Sequence, residues 1–307
     1  RDRSVSRGLG DVYKRQSDVL EEKLPMALIH EGVGEVVFDN TGSFDVGDKV
    51  VMIPNTPTKE DEYISANYLP SSKFRGSGFD GFTSDLIQLN PDRLVKLPDN
   101  FNLKISAFIE LISVICHGID RFEKIAIKHK NRFGVWGDGN LGYITALLLK
   151  EFYPESEVTV IGKHGENLNL FSFADKTYKF HEVPDDLAID HGFECVGSNA
   201  SQAAIDQIIN TINPQGSIIL FGVSEYPIPI NTRLILEKGL TIQGISRSER
   251  KDFLKVVELL KNNPNLFDSL DKLISEVVTI KSLNDLKEAF DKDYISGFGK
   301  TILVWDK

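Results

Sequence analysis

The sequence holds only two cysteines, Cys116 and Cys195, in 307 residues. They are far apart and form no C-x-x-C pair, which excludes a disulfide framework and a four-cysteine zinc knot. So little cysteine fits a reducing compartment, and the expected location is the cytoplasm. No run of about 18 uninterrupted apolar residues is present, so no membrane-spanning helix is expected. No secretory signal pattern stands near the N-terminus. A surplus of basic charge is missing too, since 35 Lys and Arg face 45 Asp and Glu for a formal net charge of −10. That balance argues against nucleic acid or an anionic membrane as a partner, while leaving room for a local basic pocket that takes a phosphate. Internal repeats and low-complexity tracts are absent.

What is present is ordinary globular material, 41% apolar and 26% charged, enough for a core without metal or disulfide staples. The length predicts two domains or one large one. Residues 1–16 are basic and follow neither apolar period, and they read as a foreign leader on a chain whose own start is missing. Residues 26–51 are β-rich, with Asp39-Asn40-Thr41-Gly42 as a turn. Residues 54–82 are rich in Pro, Ser, Asn and Gly and read as loop. Residues 86–97 give two short strand signals, and 102–122 follow a helical period through Ile105, Phe108, Ile109, Ile112 and Ile115. From residue 132 onward short buried strands alternate with helices, the pattern of a parallel α/β sheet. The strands fall at 132–136, 158–161, 192–195, 217–221 and 240–243. A helix follows over 252–261, then a short helix over 283–290 and a last strand over 300–305.

The motif Gly137-Asp138-Gly139-Asn140-Leu141-Gly142 sits between an apolar strand and an amphipathic helix, the context a dinucleotide-binding loop requires. Gly137 allows the tight turn, Gly139 lets backbone approach a pyrophosphate, and Gly142 lets helix and strand pack closely. Asn140 and Leu141 open the helix, whose N–H groups and positive dipole end face the phosphates. An acid after the second strand would hold a ribose 2′-hydroxyl. Here Gly162-Lys163-His164 follows instead, so Lys163 is expected on a 2′-phosphate and NADP(H) is the expected cofactor. Cys195, Ser198, Phe221 and Val223 end later strands at the carboxyl edge, where cofactor binds. Arg247 follows the last strand and is placed to meet nicotinamide or substrate. The plain alternatives are a loop lysine and a surface arginine. The acid pairs Asp61-Glu62 and Asp185-Asp186 read as solvated loop charge.

Several segments resemble the zinc-dependent medium-chain alcohol dehydrogenases. His30-Glu31-Gly32-Val33-Gly34-Glu35-Val36 with Gly47-Asp48-Lys49-Val50 is similar to their zinc signature. Glu110-Leu111-Ile112-Ser113-Val114 with Cys116-His117-Gly118 is similar to the polyol dehydrogenase branch, in which a glutamate stands where other members use cysteine. Glu288-Ala289-Phe290 and Gly299-Lys300-Thr301 extend the resemblance to the C-terminus. Lys23-Leu24-Pro25-Met26, Pro54-Asn55-Thr56-Pro57, residues 133–142 and Asn231-Thr232-Arg233-Leu234 resemble the ribulose-5-phosphate reductases that supply ribitol 5-phosphate for CDP-ribitol and teichoic-acid-type polymers.

The resemblance implies a Rossmann doubly wound parallel sheet inserted in a β-rich GroES-like catalytic domain. Residues 17–122 and 264–307 would form the N-terminally truncated catalytic domain, and 123–263 the cofactor domain. It implies one catalytic Zn²⁺, with His30, Glu31 and Glu110 as ligands or against the metal, and these three as the catalytic residues. The bland alternatives are a core histidine and a solvated helix glutamate, but the apolar flanks of Glu110 make an exposed position a poor fit. The family's first cysteine ligand would fall within residues 1–16, which hold none, and the family's proton-relay hydroxyl goes with it. Ser113 and His117 shape the site, and Arg75, in the long loop, is a candidate ligand for a substrate phosphate.

The implied reaction is NADPH-dependent reduction of D-ribulose 5-phosphate to D-ribitol 5-phosphate, with zinc as Lewis acid. A sugar phosphate would be the substrate, a ribitol-5-phosphate cytidylyltransferase a partner, and a homo-oligomer the assembly. Two alternatives stay open: an NAD-dependent polyol or secondary-alcohol dehydrogenase, and a non-catalytic NADP(H)-binding remnant lacking one zinc ligand.

Overall fold

The computed structural model describes residues 26–306 apart from Glu225 and Ser296. The foreign leader expected at 1–16, and with it the place of a first cysteine ligand, lies outside the described residues. Two compact units divide the described residues: one takes 26–117 and 246–306, the other 118–245.

The first unit opens with β1 (Val33–Glu35) and β2 (Lys49–Met52), antiparallel with Val33 opposite Val51. A two-strand pair follows, β3 (Asn55–Thr56) with β4 (Lys73–Phe74), inside the stretch expected to be all loop. β5 (Leu94–Lys96) closes a three-stranded sheet in the order β1-β2-β5. It is the one strand, among the described residues, of the two expected over 86–97. The helical period over 102–122 is realised as two helices, α1 (Leu103–Ser106) and α2 (Ile109–Glu123). The Asn102 side chain caps the first by accepting from Lys104 N–H. A tighter turn, Phe108 N–H to Ile105 C=O, separates them. The boundary between the units falls within α2, after His117.

The second unit runs β6 (Arg132–Trp136), α3 (Asn140–Phe152), β7 (Glu157–Gly162), α4 (Gly165–Leu168), β8 (Lys176–Lys179), β9 (Ile189–Glu194), α5 (Ser201–Thr211), β10 (Ile212–Leu220), α6 (Thr232–Lys238) and β11 (Thr241–Gly244). All six strands are parallel, in the order β11-β10-β9-β6-β7-β8. This is the Rossmann order, with the switch point between β6 and β9. β9 is buried throughout and β6 in all but its first residue, as strands covered on both faces must be. Trp136, Ile205, Ile208, Ile209 and Ile218 share one core cluster; burying each such side chain contributes roughly 1.5–3 kcal/mol. β8 escaped the apolar pattern because it is an edge strand whose Lys-Thr-Tyr-Lys sequence faces solvent.

The chain then returns to the first unit with α7 (Arg250–Asn262), α8 (Asn265–Asp271), β12 (Ile274–Ile280), α9 (Leu283–Ile295) and β13 (Lys300–Trp305). β12 and β13 pair in parallel, with Val277 opposite Ile302. Sequence alone assigned α7 to the cofactor domain, because strand–helix alternation continues into it. The unit boundary at 245/246 puts it in the first unit. There Arg250 donates to Leu94 C=O, and Asp252 faces His117. Among the described residues no helix is long and apolar enough to cross a membrane.

Candidate active site

The residues just before β1 are held in an unusual conformation. Ile29 has φ 66°, a region that a β-branched residue enters only under constraint. The constraint is visible: Leu28 and Ile29 carbonyls accept from Phe82 and Thr83 N–H groups. At Gly81 a Cβ would stand 2.1 Å from Ile29 O, so no larger residue fits there without movement. This fixes the exit direction of His30, which is 6% exposed with its ring against Phe74 at 4.8 Å.

Glu110 stands in the first turn of α2, between fully buried Ile109 and Leu111, and is only 3% exposed. The ligand atoms of His30, Glu31 and Glu110 all lie within 4.8 Å of one another. Three residues from two distant segments are thus gathered in one interior spot. Both oxygens of Glu31 also accept from Lys300 Nζ at 2.6 Å, and both side chains are nearly inaccessible. Lys300 opens β13, 269 positions away in sequence.

The same face of α2 fixes the segment after β11. Ser113 donates to Glu110 C=O at 2.6 Å and pairs with the Ser248 hydroxyl at 2.7 Å. His117 Nδ1 lies 3.1 Å from the fully buried Asp252 carboxylate, and its Nε2 is 3.2 Å from the Tyr68 hydroxyl. Glu249 and Asp252 form a reciprocal capping box that starts α7. His117, Glu249 and Asp252 also cluster, with Asp252 Oδ2 facing His117 Nδ1 and accepting from Glu249 N–H, while Asp252 Oδ1 is buried without a hydrogen-bond partner. Arg75 is turned to the carbonyls of Asp80 and Gln88 and packs over Phe79, which makes it a loop brace.

In the second unit, Gly137 ends β6 with φ 133°, and a Cβ there would stand 2.8 Å from Cys195 O. A Cβ on Gly142 would stand 1.9 Å from Gly137 O, so α3 can approach β6 only with glycine here. Gly139 is the N-cap of α3, no side chain caps it, and nothing lies within 4 Å of its Cβ direction. At Gly139 the start of α3 therefore has the uncapped backbone and the space that an anion needs. Lys163 is exposed just after β7. Cys195 is buried, its thiol 3.5 Å from Thr145 Oγ1, and burial pushes that thiol well up, so it serves as a wall rather than a nucleophile. Val223 is 53% exposed, and its C=O accepts from Ser198 N–H. Arg247 belongs to the first unit, apart from the chain segment that carries the glycine loop.

These features fit the comparisons with known proteins. A family model described as zinc-binding dehydrogenase matches residues 172–262. Ribulose-5-phosphate reductase 1 of Staphylococcus aureus (strain NCTC 8325 / PS 47) is 54% identical over 291 residues, covering 95% of this chain and 85% of the relative. The chain belongs to the ribulose-5-phosphate reductase family. The reductase of Bacillus spizizenii (strain ATCC 23059 / NRRL B-14472 / W23) is 49% identical, with 95% of this chain and 86% of the relative covered. A crystal structure of S. aureus TarJ in complex with NADPH superposes with a TM-score of 0.85 at 50% identity, covering 95% of this chain and 85% of that one.

Three residues of this family member escaped the sequence reading. Lys300 stood out only as part of a terminal motif, and its ion pair with Glu31 needs the fold to be seen. Asp138, inside the glycine motif, reaches the end of β7 and accepts from Lys163 N–H, His164 N–H and the His164 ring. An acid therefore does stand there, but it is spent on that turn. Glu194, fully buried at the end of β9, accepts from Val196 and Gly197 N–H, Ser201 hydroxyl and Gly222 N–H. It ties the loop at Cys195 to the loop at Val223. A glutamate ending an apolar strand was the available signal.

Proposed function

We propose that this chain reduces D-ribulose 5-phosphate to D-ribitol 5-phosphate with NADPH. The observation that carries this is the buried His30–Glu31–Glu110 cluster in a chain 54% identical to a named ribulose-5-phosphate reductase. Imidazole and carboxylate together suit Zn²⁺. His30 and Glu110 would hold the ion directly, while Glu31, bound through both oxygens to Lys300, sets the local charge beside it. When bound, zinc supplies Lewis acidity to the substrate carbonyl, and NADPH supplies the hydride.

The chain's own residues do the rest. Gly137, Gly139 and Gly142 shape the loop, and the open end of α3 receives the pyrophosphate. Lys163 would meet the 2′-phosphate, and Cys195 and Val223 would border the nicotinamide end. Glu194 keeps those two loops together. Ser113 and His117 hold the 246–252 segment against α2.

The test is NADPH consumption by the purified chain with ribulose 5-phosphate, with zinc measured in the same sample. One ribitol 5-phosphate formed per NADPH is expected. Preference for NADH with a free polyol, or NADPH binding with neither zinc nor turnover, would overturn it. A cytoplasmic location, a homo-oligomer and a ribitol-5-phosphate cytidylyltransferase acting on the product belong to the same proposal. Sedimentation and copurification test the last two.

A further inference from the structure

We propose that Arg247 is the residue that binds the phosphate of the substrate. This rests on the ketose-phosphate reading above and names a ligand group within it.

Arg247 has φ 60°, a left-handed conformation that a side chain bearing a Cβ adopts only when its surroundings impose it. Its two neighbours are both pinned. Ser246 C=O accepts from Asn67 Nδ2 at 3.0 Å, and the Ser248 hydroxyl pairs with Ser113 at 2.7 Å. Asn67, Ser113 and Ser248 are all buried. The backbone is therefore clamped so that one side chain points a fixed way. The guanidinium stands 4.8 Å over the Phe74 ring, and Phe74 packs at 4.8 Å against His30. A cation is thereby fixed one aromatic ring away from the candidate metal ligand.

The guanidinium also lacks the kind of partner that other arginines have. Arg93 pairs with Asp92, Arg132 with Asp190 and Arg233 with Glu237, and Arg75 and Arg250 donate to carbonyls. Among the described residues Arg247 has the Phe74 face but no carboxylate or carbonyl, in a chain of net charge −10. It is half-buried, and burial alone pushes its acidity up, with no anion to offset it. Strained backbone, a clamped position and unspent planar donors describe a site for an oxyanion, which a guanidinium fork engages in bidentate fashion.

The experiment uses the whole chain with NADPH bound, so that the 2′-phosphate region is occupied. Inorganic phosphate is titrated into wild type, Arg247→Lys and Arg247→Gln by calorimetry, and reduction of ribulose 5-phosphate is compared with that of free ribulose. Phosphate binding is expected in wild type, weakened in Arg247→Lys and lost in Arg247→Gln. Arg247→Gln should lower kcat/KM for ribulose 5-phosphate about 100-fold, a bidentate charged contact being worth roughly 3 kcal/mol. Its activity on ribulose and its NADPH affinity should stay within about twofold on the same grounds. Equal phosphate binding by all three proteins, an equal fall on both ketoses, or a fall in NADPH affinity would overturn the assignment. A wild type that binds phosphate through Arg247 yet does not reduce ribulose 5-phosphate would instead sink the reductase reading and keep the anion site.

Discussion

In the unit of residues 118–245 the candidate site is made of backbone. A turn at Gly137, an uncapped helix end at Gly139 and a close approach at Gly142 lie within six consecutive residues, and the buried central strands of a parallel sheet hold them. In the other unit the candidate site is made of side chains. His30 and Glu31 come from the approach to β1, Glu110 from α2, Arg247 from the run into α7 and Lys300 from β13. Small sheets and two strained residues, Ile29 and Arg247, carry that arrangement. A backbone site binds what many dehydrogenases share, the cofactor's phosphates. A side-chain site, drawn from distant segments, can be changed one residue at a time and so can carry substrate choice.

The sharpest way to break this contrast is to damage each site and read both. His30→Ala should abolish zinc binding and lower kcat about 1000-fold, an effect of roughly 4 kcal/mol on the barrier, while NADPH affinity stays unchanged. Gly142→Val should do the converse. Its Cβ would meet Gly137 O, so NADPH binding should be lost while the folded protein keeps its zinc. Metal analysis and NADPH fluorescence titration on both variants decide the matter. A His30→Ala protein that loses NADPH as fully as Gly142→Val would erase the distinction.

Acid should separate the units next. His191, on β9, accepts Ser217 N–H at Nδ1, and its Nε2 faces His129 C=O, an arrangement that needs the neutral ring. Burial takes its pKa from 6.5 down to about 4. The unfolded chain therefore takes up a proton that the fold refuses. The stability from His191 is complete above pH 6.5 and is lost as the pH falls toward 4, in all by roughly 3 kcal/mol. In the other unit the buried histidine His117 has its Nδ1 against the Asp252 carboxylate instead of a backbone N–H. Hydrogen exchange at pH 7.5 and pH 5 should show amides of β6, β9 and β10 loosening in acid more than those of β2 and β5. A His191→Gln protein should lose that pH dependence. Equal loosening in both units would remove the contrast.

The same difference decides what could be read in the sequence. The glycine loop was legible because its physics is local: three glycines at fixed spacing between an apolar strand and a helix suit little besides a phosphate-binding turn. His30 and Glu110 were legible through their motif contexts, and the buried position of Glu110 through its apolar flanks. The pairing of Glu31 with Lys300 was not, because nothing local to either residue points to the other. β8 and the β3–β4 pair were missed because edge and two-residue strands have too few buried positions to set a period. The strain at Ile29 was invisible, since only its tertiary neighbours impose it. The domain seam was placed late because α7 continues the strand–helix rhythm while packing with the first unit.

The smallest effect tests whether side chains add choice within the backbone site as well. Lys163 is exposed after β7 and carries no ion pair among the described residues, whereas Asp138 is consumed by the turn at Lys163 and His164. The turn therefore offers an exposed cation to a ribose phosphate, with Asp138 Oδ2 directed into the turn's own N–H groups. An exposed charge contact of this kind is worth about 1 kcal/mol, screened by salt. Lys163→Ala should thus weaken NADPH binding by about five- to tenfold and leave NADH binding unchanged, with the gap narrowing as ionic strength rises. Affinities for both cofactors at two salt concentrations measure this. If both cofactors weaken together, Lys163 supports the loop rather than reads the phosphate. The preference for NADPH would then have to lie in other side chains at this turn, with His164 the first to substitute.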